Sequence, residues 1–371
     1  MEVLDSFWSS MELAFPPRVT VHDHAVQWSD LDISVDVYLP IAVTDFRLGV
    51  AVDGEAFSSI VAHAAARGRS TLELEPAGDH MRVTDPGYAQ WHLPRLDAGE
   101  GSNWQADKSP LLRLDDPHTI RQLLAVAAIA QGDYYETLPV LNNVRWHTID
   151  GLLVADAARR DRAARSVTSL ATPNPVDVLI PLDVVDTLAA VHDRHTIGRL
   201  SVAAARIERP RGVAPALQLI AVTSGIQIVI SREVPAGQYP DLTGLLTGHG
   251  DRDTWAMLLS RGALEPAIDA IRAAQPQLSR HYAAFGARAG SPALLDDGVV
   301  AYLATGTRFE DASVEGRWSP SLPLDALEAA AQLLPGDITV TGGSTSRRVL
   351  LTDEHTTVGI APFIPHPPVR R

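Results

Sequence analysis

An α+β fold, with helices packed on antiparallel sheets in a unit that recurs along the chain, is what this sequence predicts. Three observations carry the prediction. Residues 120 to 163, IRQLLAVAAIAQGDYYETLPVLNNVRWHTIDGLLVADAARRDRA, read as an apolar helix, a loop, a strand, a tight turn at Asp150-Gly151 and a second strand. Partial echoes of that unit follow at VLIPLDVVDTLAAV (178 to 191) and VPAGQYPDLTGLL (234 to 246). The echoes are too far apart for a solenoid, whose period is roughly 20 to 50 residues, so repeated domains are expected.

In chain order, SDLDISVDVYL (29 to 39) alternates apolar and polar residues, as a half-buried strand does. DGEAFSSIVAHAAAR (53 to 67) has an acidic first turn and sets Phe57, Ile60, Val61 and Ala64 at three-four spacing, which gives a helix with one apolar face. STLELEP and HMRVTD (70 to 85) form a hairpin across Ala77-Gly78-Asp79. Further helices are expected over Pro117 to Gln131, Leu182 to Val191, Gly262 to Ala274 and Leu324 to Leu334. LQLIAV, IQIVIS, VVAYLAT, ITVTG and RRVLLTD read as strands among them. LDAGEGSNWQADKSP (96 to 110) and LTGHGDRD (246 to 253) read as linkers and divide the chain into domains 1–110, 111–247 and 248–371.

A chain of 371 residues with 46% apolar content exceeds what one core usually serves. Its longest apolar runs, such as LLAVAAIA (123 to 130), fall far short of the roughly 20 residues of a spanning helix, and no basic-then-apolar leader opens it. A soluble, cytoplasmic protein is expected. The absence of cysteine excludes disulfides, thiolate metal sites and a cysteine nucleophile. A formal charge of -14 would repel DNA if spread evenly, but it leaves room for a basic inner wall behind an acidic exterior.

Catalytic and metal signals are weak. His192 and His195 in HDRH lack a third ligand of clear spacing and read as solvated or capping. His22-Asp23-His24 reads as a hairpin turn, and so does Asp296-Asp297 before Gly298. TGGSTS (341 to 346) lacks the lysine and following helix of a phosphate loop. No nucleophile, base and stabiliser stand together, so no enzyme, metal or cofactor is expected.

The ordered series of these segments resembles the bacterial replicative sliding clamp, the β subunit of DNA polymerase III, over nearly the whole chain and most strongly from 111 to 246. The resemblance implies three clamp domains per chain and six per ring. It implies a homodimer that encircles duplex DNA without reading sequence, with polymerase and clamp loader docked through short linear motifs. The motif pocket would involve Leu141, Ala155, Ala157, Pro240, Leu245, Ile360, Pro362 and Phe363. Where clamps read Thr-Asp-Gly-(aromatic or His)-Arg-Leu, this chain is aligned as Ala155 to Arg160, so the charged Arg160 replaces a pocket leucine. The tail APFIPHPPVRR also departs from the family's ending.

Phosphate contacts in the hole would fall to Arg67, Arg69, Arg121, Arg194, Arg199 and Arg272, with Arg261 and Arg280 as further candidates. The densest basic cluster is Arg159, Arg160, Arg162 and Arg165. The first inner helix is shortened to VLDSFWSSM (3 to 11), and Tyr88 would meet the region of Ile271 and Leu278 across the ring's seam. A divergent clamp paralogue, acting as an interaction or modulator protein without encircling DNA, is the competing expectation.

Overall fold

The computed structural model describes residues 18–21, 25–29, 33–38, 50–69, 72–96, 103–130, 138–209, 212–224, 226–234, 237–247, 255–274, 282–288, 291–296, 299–303, 305–308, 316–317, 319, 321–342 and 348–361. It is mixed α and β, with antiparallel sheets, as expected. Helix α1 (Gly54–Ala66) begins where Asp53 Oδ1 accepts the Ala56 N–H at 2.8 Å, which satisfies one of the donors a helix start leaves open. It buries Phe57, Ile60, Val61 and Ala64, the face the spacing predicts. The helix expected over 117 to 131 is divided. Helix α2 (Pro117–Ala125) opens on proline and is capped by Asp116, whose Oδ2 accepts from Thr119 N at 2.8 Å. A turn at Val126 precedes α3 (Ala127–Ala130). Helix α4 (Leu182–His195) runs four residues past its expected end, because HDRH continues it. Helices α5 (Thr243–Leu246), α6 (Leu264–Ala274) and α7 (Leu324–Leu333) complete the set.

Contacts divide the chain into two compact units, each assembled from two separated stretches. One takes residues 1–124 and 179–236, the other 125–178 and 237–371; the break between α2 and α3 falls at this division. In the first unit a sheet runs in the order Val50–Asp53, Arg18–Val21, Ala25–Ser29, Ile33–Tyr38, Gln227–Glu233, Gly212–Val222 and Arg199–Arg209. The join between distant stretches is the pairing of Ile33–Tyr38 with Gln227–Glu233, Val35 opposite Ile230. Asn103–Ala106 pairs with Arg199–Arg209, so the segment read as a linker supplies an edge strand. The expected hairpin is present as Glu73–Ala77 and His80–Asp85, extended by Ala89–Pro94 into a separate three-stranded sheet.

In the second unit the sheet order is Asn143–Ile149, Leu152–Arg159, Arg162–Ala171, Thr356–Ile360, Val349–Thr352, Ile338–Gly342, Trp255–Leu259 and Thr305–Arg308. The turn at Asp150 (φ 52°) and Gly151 (φ 81°) puts both residues in the left-handed region, the geometry whose twist suits a two-residue hairpin. A smaller sheet is built on Tyr282–Arg288 and Ser291–Asp296. Trp146, Leu153, Met257, Phe285, Leu327 and Val340 are wholly buried in this unit, as are Val52, Ile120, Leu188 and Leu219 in the first. Among the described residues no helix is long and apolar enough to cross a membrane.

Candidate docking hollow and arginine faces

The pocket residues expected from sequence all fall in the second unit, and the structure parts them by face. Strand Leu152–Arg159 turns at Arg160-Asp161 into Arg162–Ala171, with Arg159 opposite Arg162 and Ala158 opposite Ala163. Arg162 is 6% exposed and points into the helix layer: its Nε donates to Ile129 O at the end of α3, and its Nη1 meets Asp325 Oδ2 in the first turn of α7, both at 2.9 Å. Ile360 lies opposite Arg162 and Ala157 opposite Ala164, and strand side chains alternate. Ala155, Ala157 and Ile360, each 0% exposed, therefore belong to the core beneath the sheet. Their assignment to a surface hollow is corrected by one residue of parity.

The opposite face carries Asp156, Ala158, Ala163, Arg165 and Gly359, and there the 239–247 segment packs. Arg165 grips Asp156 with two hydrogen bonds of 2.8 Å and reaches Thr243 Oγ1 at 3.4 Å. A Cβ on Gly359 would stand 3.1 Å from Leu245 O, so glycine is what lets α5 approach this closely. Arg348 donates to Gly244 O and Thr247 O, holding carbonyls that so short a helix leaves open. On the other side Leu141 lies in a 3-10 turn (Pro139–Asn142), which Asn143 Nδ2 fixes through Pro139 O at 3.2 Å and Val140 O at 3.1 Å. Val140 stands against Gly237. Leu138 and Leu245 are exposed, at 56% and 51%, whereas Leu141, Ala158, Ala163 and Gly359 are buried where these segments pack. Pro240 and Arg160 are exposed; Pro362 and Phe363 lie outside the described residues.

Beneath the 239–247 segment sits a buried ionic group. Asp156 is 1% exposed, and His147 Nε2 lies 2.9 Å from its Oδ2. Burial pushes the Asp156 carboxyl up, but the bonds from Arg165 and His147 outweigh it and hold it below the usual carboxylate range. Burial, with that carboxylate nearby, pushes the Tyr239 phenol up.

The arginines expected to meet phosphates are mostly occupied. Arg69 pairs with the buried Asp85 at 3.0 Å, Arg199 with Asp115 at 2.8 Å, and Arg272 with Glu328 through two bonds of 2.8 Å. Arg67 stacks 3.5 Å over the Tyr88 ring. Arg121 lies 4.0 Å from Asp193, and Arg194 is exposed at the end of α4. Arg261 is exposed too, while Arg280 lies outside the described residues. The described helices carry eight carboxylates (Glu55, Asp183, Asp186, Asp193, Glu265, Asp269, Asp325 and Glu328) against three arginines, Arg121, Arg194 and Arg272. Of the seam residues, Tyr88 is 48% exposed, whereas Ile271 is 0% exposed. Ile271 is thus core, because α6 turns Leu264, Ala267, Ile268 and Ile271 inward together; Leu278 lies outside the described residues.

Among the described residues no group of three His, Asp or Glu side chains could hold a metal ion. His192 is a capping residue: its Nδ1 accepts from Ile197 N at 3.2 Å.

No protein-family model and no curated protein matches this sequence. Solved structures do. The DNA polymerase III beta subunit of Thermotoga maritima superposes with a TM-score of 0.72 at 16% identity, over 98% of this chain and 97% of that one. The fold is that of the bacterial sliding clamps. The beta chain of Streptococcus pneumoniae gives 0.70 at 15% identity over 98% and 97% of the two chains. The Helicobacter pylori beta clamp bound to a DNA ligase peptide gives 0.68 at 11% over the same shares.

Proposed function

We propose that this chain works as a sliding clamp in the cytoplasm, a binding scaffold and not an enzyme. Three domains, 1–110, 111–247 and 248–371, would close as a homodimer around duplex DNA and tether a replicative polymerase, with a clamp loader and other partners docking through short linear motifs. The observation that carries the reading is end-to-end coverage: 97–98% of this chain and 96–98% of the clamps it matches superpose. A tether of this kind raises a partner's effective concentration at the primer end with no bond chemistry. The exposed Leu138 and Leu245 suit an apolar anchor, and a relative of the same fold is known with a DNA ligase peptide bound.

The acidic helices and the paired arginines support the second reading, a clamp paralogue that modulates partners without encircling DNA. In either case direct DNA contact is weak and falls steeply with salt. Retention on nicked circular DNA before and after linearisation, together with light scattering, separates the two. An encircling clamp is a dimer that stays on the circle and leaves the linear form. A monomer at micromolar concentration, or equal retention on both forms, overturns encirclement.

A further inference from the structure

The three-stranded sheet of the first unit turns two histidines to the same side. One of its faces, with Met81, Val83 and Leu93, is buried. Strand side chains alternate, so Glu75, His80, Arg82 and His92 share the other face: Arg82 stands opposite both Glu75 and His92, and His80 stands opposite Pro94. His80 and His92 are therefore diagonal neighbours on paired strands, within reach of each other's rings. Their ring centroids lie 4.7 Å apart, with the planes at 53°. The two residues come from different strands, so spacing along the chain gives no ligand signature.

Each ring brings what a metal ligand needs. His80 Nδ1 lies 3.0 Å from Asp79 Oδ1, which as a carboxylate oxygen only accepts; Nδ1 therefore carries the proton and a neutral ring keeps its lone pair on Nε2. That Nε2 has no hydrogen-bond partner among the described residues. A carboxylate behind a histidine is the arrangement that orients an imidazole ligand and raises its basicity. His92 is exposed, so its ring can turn either nitrogen toward His80. Arg82 on the same face would repel a cation, but Glu75 Oε2 meets its Nη1 at 2.7 Å, and with Asp79 added the group of Glu75, Asp79 and Arg82 is net negative.

The spacing selects the kind of ion. With metal–nitrogen bonds of about 2.1 Å and each ring centre roughly 1.1 Å behind its nitrogen, two imidazoles at a right angle on one ion hold their centroids about 4.5 Å apart, and at a tetrahedral angle about 5.2 Å. The 4.7 Å between His80 and His92 lies nearer the right angle. Adjacent positions of octahedral Ni²⁺ and of tetragonal Cu²⁺ subtend that angle, and both ions accept imidazole.

We infer that His80 and His92 form a binding site for a divalent transition ion of the Ni²⁺ or Cu²⁺ class, with Asp79 positioning His80 and water filling the remaining coordination positions. An ion held there ties the edge strand Ala89–Pro94 to the middle strand His80–Asp85. The inference concerns the first unit alone and stands apart from encirclement and from partner docking.

Calorimetric titration of the full, untagged chain with Ni²⁺ tests it. One ion per chain should bind, whereas Mg²⁺, which demands oxygen ligands, should not. His92→Ala, at an exposed position, should weaken Ni²⁺ binding by about tenfold or more while circular dichroism shows the fold kept, and Asp79→Asn should weaken it by about tenfold. Pulsed electron paramagnetic resonance of the chain loaded with Cu²⁺ should show two coordinated imidazoles in the parent and one in His92→Ala. No saturable Ni²⁺ binding, equal binding by parent and His92→Ala, or a single imidazole on Cu²⁺ in the parent would overturn the inference; Asp79→Asn binding like the parent would overturn the part given to Asp79.

Discussion

Three largely buried arginines of the second unit contrast with two surface arginines of the first. In the second unit Arg162, Arg165 and Arg348 are drawn in among carbonyls and carboxylates, where they fix helices. In the first unit Arg121 and Arg199 keep 73% and 51% of their side chains exposed and face Asp193 and Asp115, which are themselves more than half exposed. A guanidinium that has lost its water and gained fixed partners is an architectural element. One still at the surface keeps much of its water, and its ion pair adds little to stability. Arginine count along the chain therefore says little about nucleic-acid contact until burial and pairing are known.

The widest gap between the units should appear in stability. Arg162→Ala leaves the buried Ile129 O without its donor, which costs about 1–3 kcal/mol, while the mostly exposed Asp325 returns to water. Arg121→Ala, at the surface of the first unit, should stay within about 0.5 kcal/mol. Urea unfolding followed by tryptophan fluorescence measures both, and similar midpoints for the two variants would erase the contrast.

Acid should act on the second unit through Asp156. Its folded-state pKa lies below the unfolded value of about 3.9, so its contribution is complete above that value and is lost as pH falls through the folded one. Asp156→Asn should lower stability by about 3 kcal/mol at neutral pH, and its deficit against the parent should shrink as the pH is taken below about 4. A deficit that does not change with acid would assign the loss to packing. A smaller effect is expected at Arg348, where Ala should speed hydrogen exchange at residues 243–247 by about tenfold with little change elsewhere in the unit. The smallest concerns Arg160. A partner peptide with an acidic residue beside its apolar anchors should bind about threefold better than an all-apolar one, and Arg160→Leu should cancel that preference in fluorescence polarisation.

Most elements were legible because helical and strand periodicities are local. The hairpin at Asp150-Gly151 and the buried face of α1 follow from composition and spacing alone. Of the expected pocket residues, Pro240 and Leu245 are exposed, whereas Leu141 is buried and Ala155, Ala157 and Ile360 face the helix layer. A strand slip of one residue exchanges core for surface, and nothing in a run of alanines reveals it. Counting outward from the two-residue turn at Arg160-Asp161 would have put Ala158 and Ala163 on the outer face. The pairing of Arg272 with Glu328 depends on a contact across 56 residues, beyond any local pattern.

The sheet that joins Ile33–Tyr38 to Gln227–Glu233 has a consequence for biosynthesis. At a synthesis rate of about 5–20 residues per second, the early strand waits on the order of ten seconds or more for its partner to be made. Until then Ile33–Tyr38 is an open edge, and open edges invite pairing with other nascent chains. A fragment ending near residue 124 would carry that edge permanently. Such a fragment should aggregate; one extended through residue 236 closes that edge but leaves Arg162–Ala171 open, because its neighbour Thr356–Ile360 is still missing.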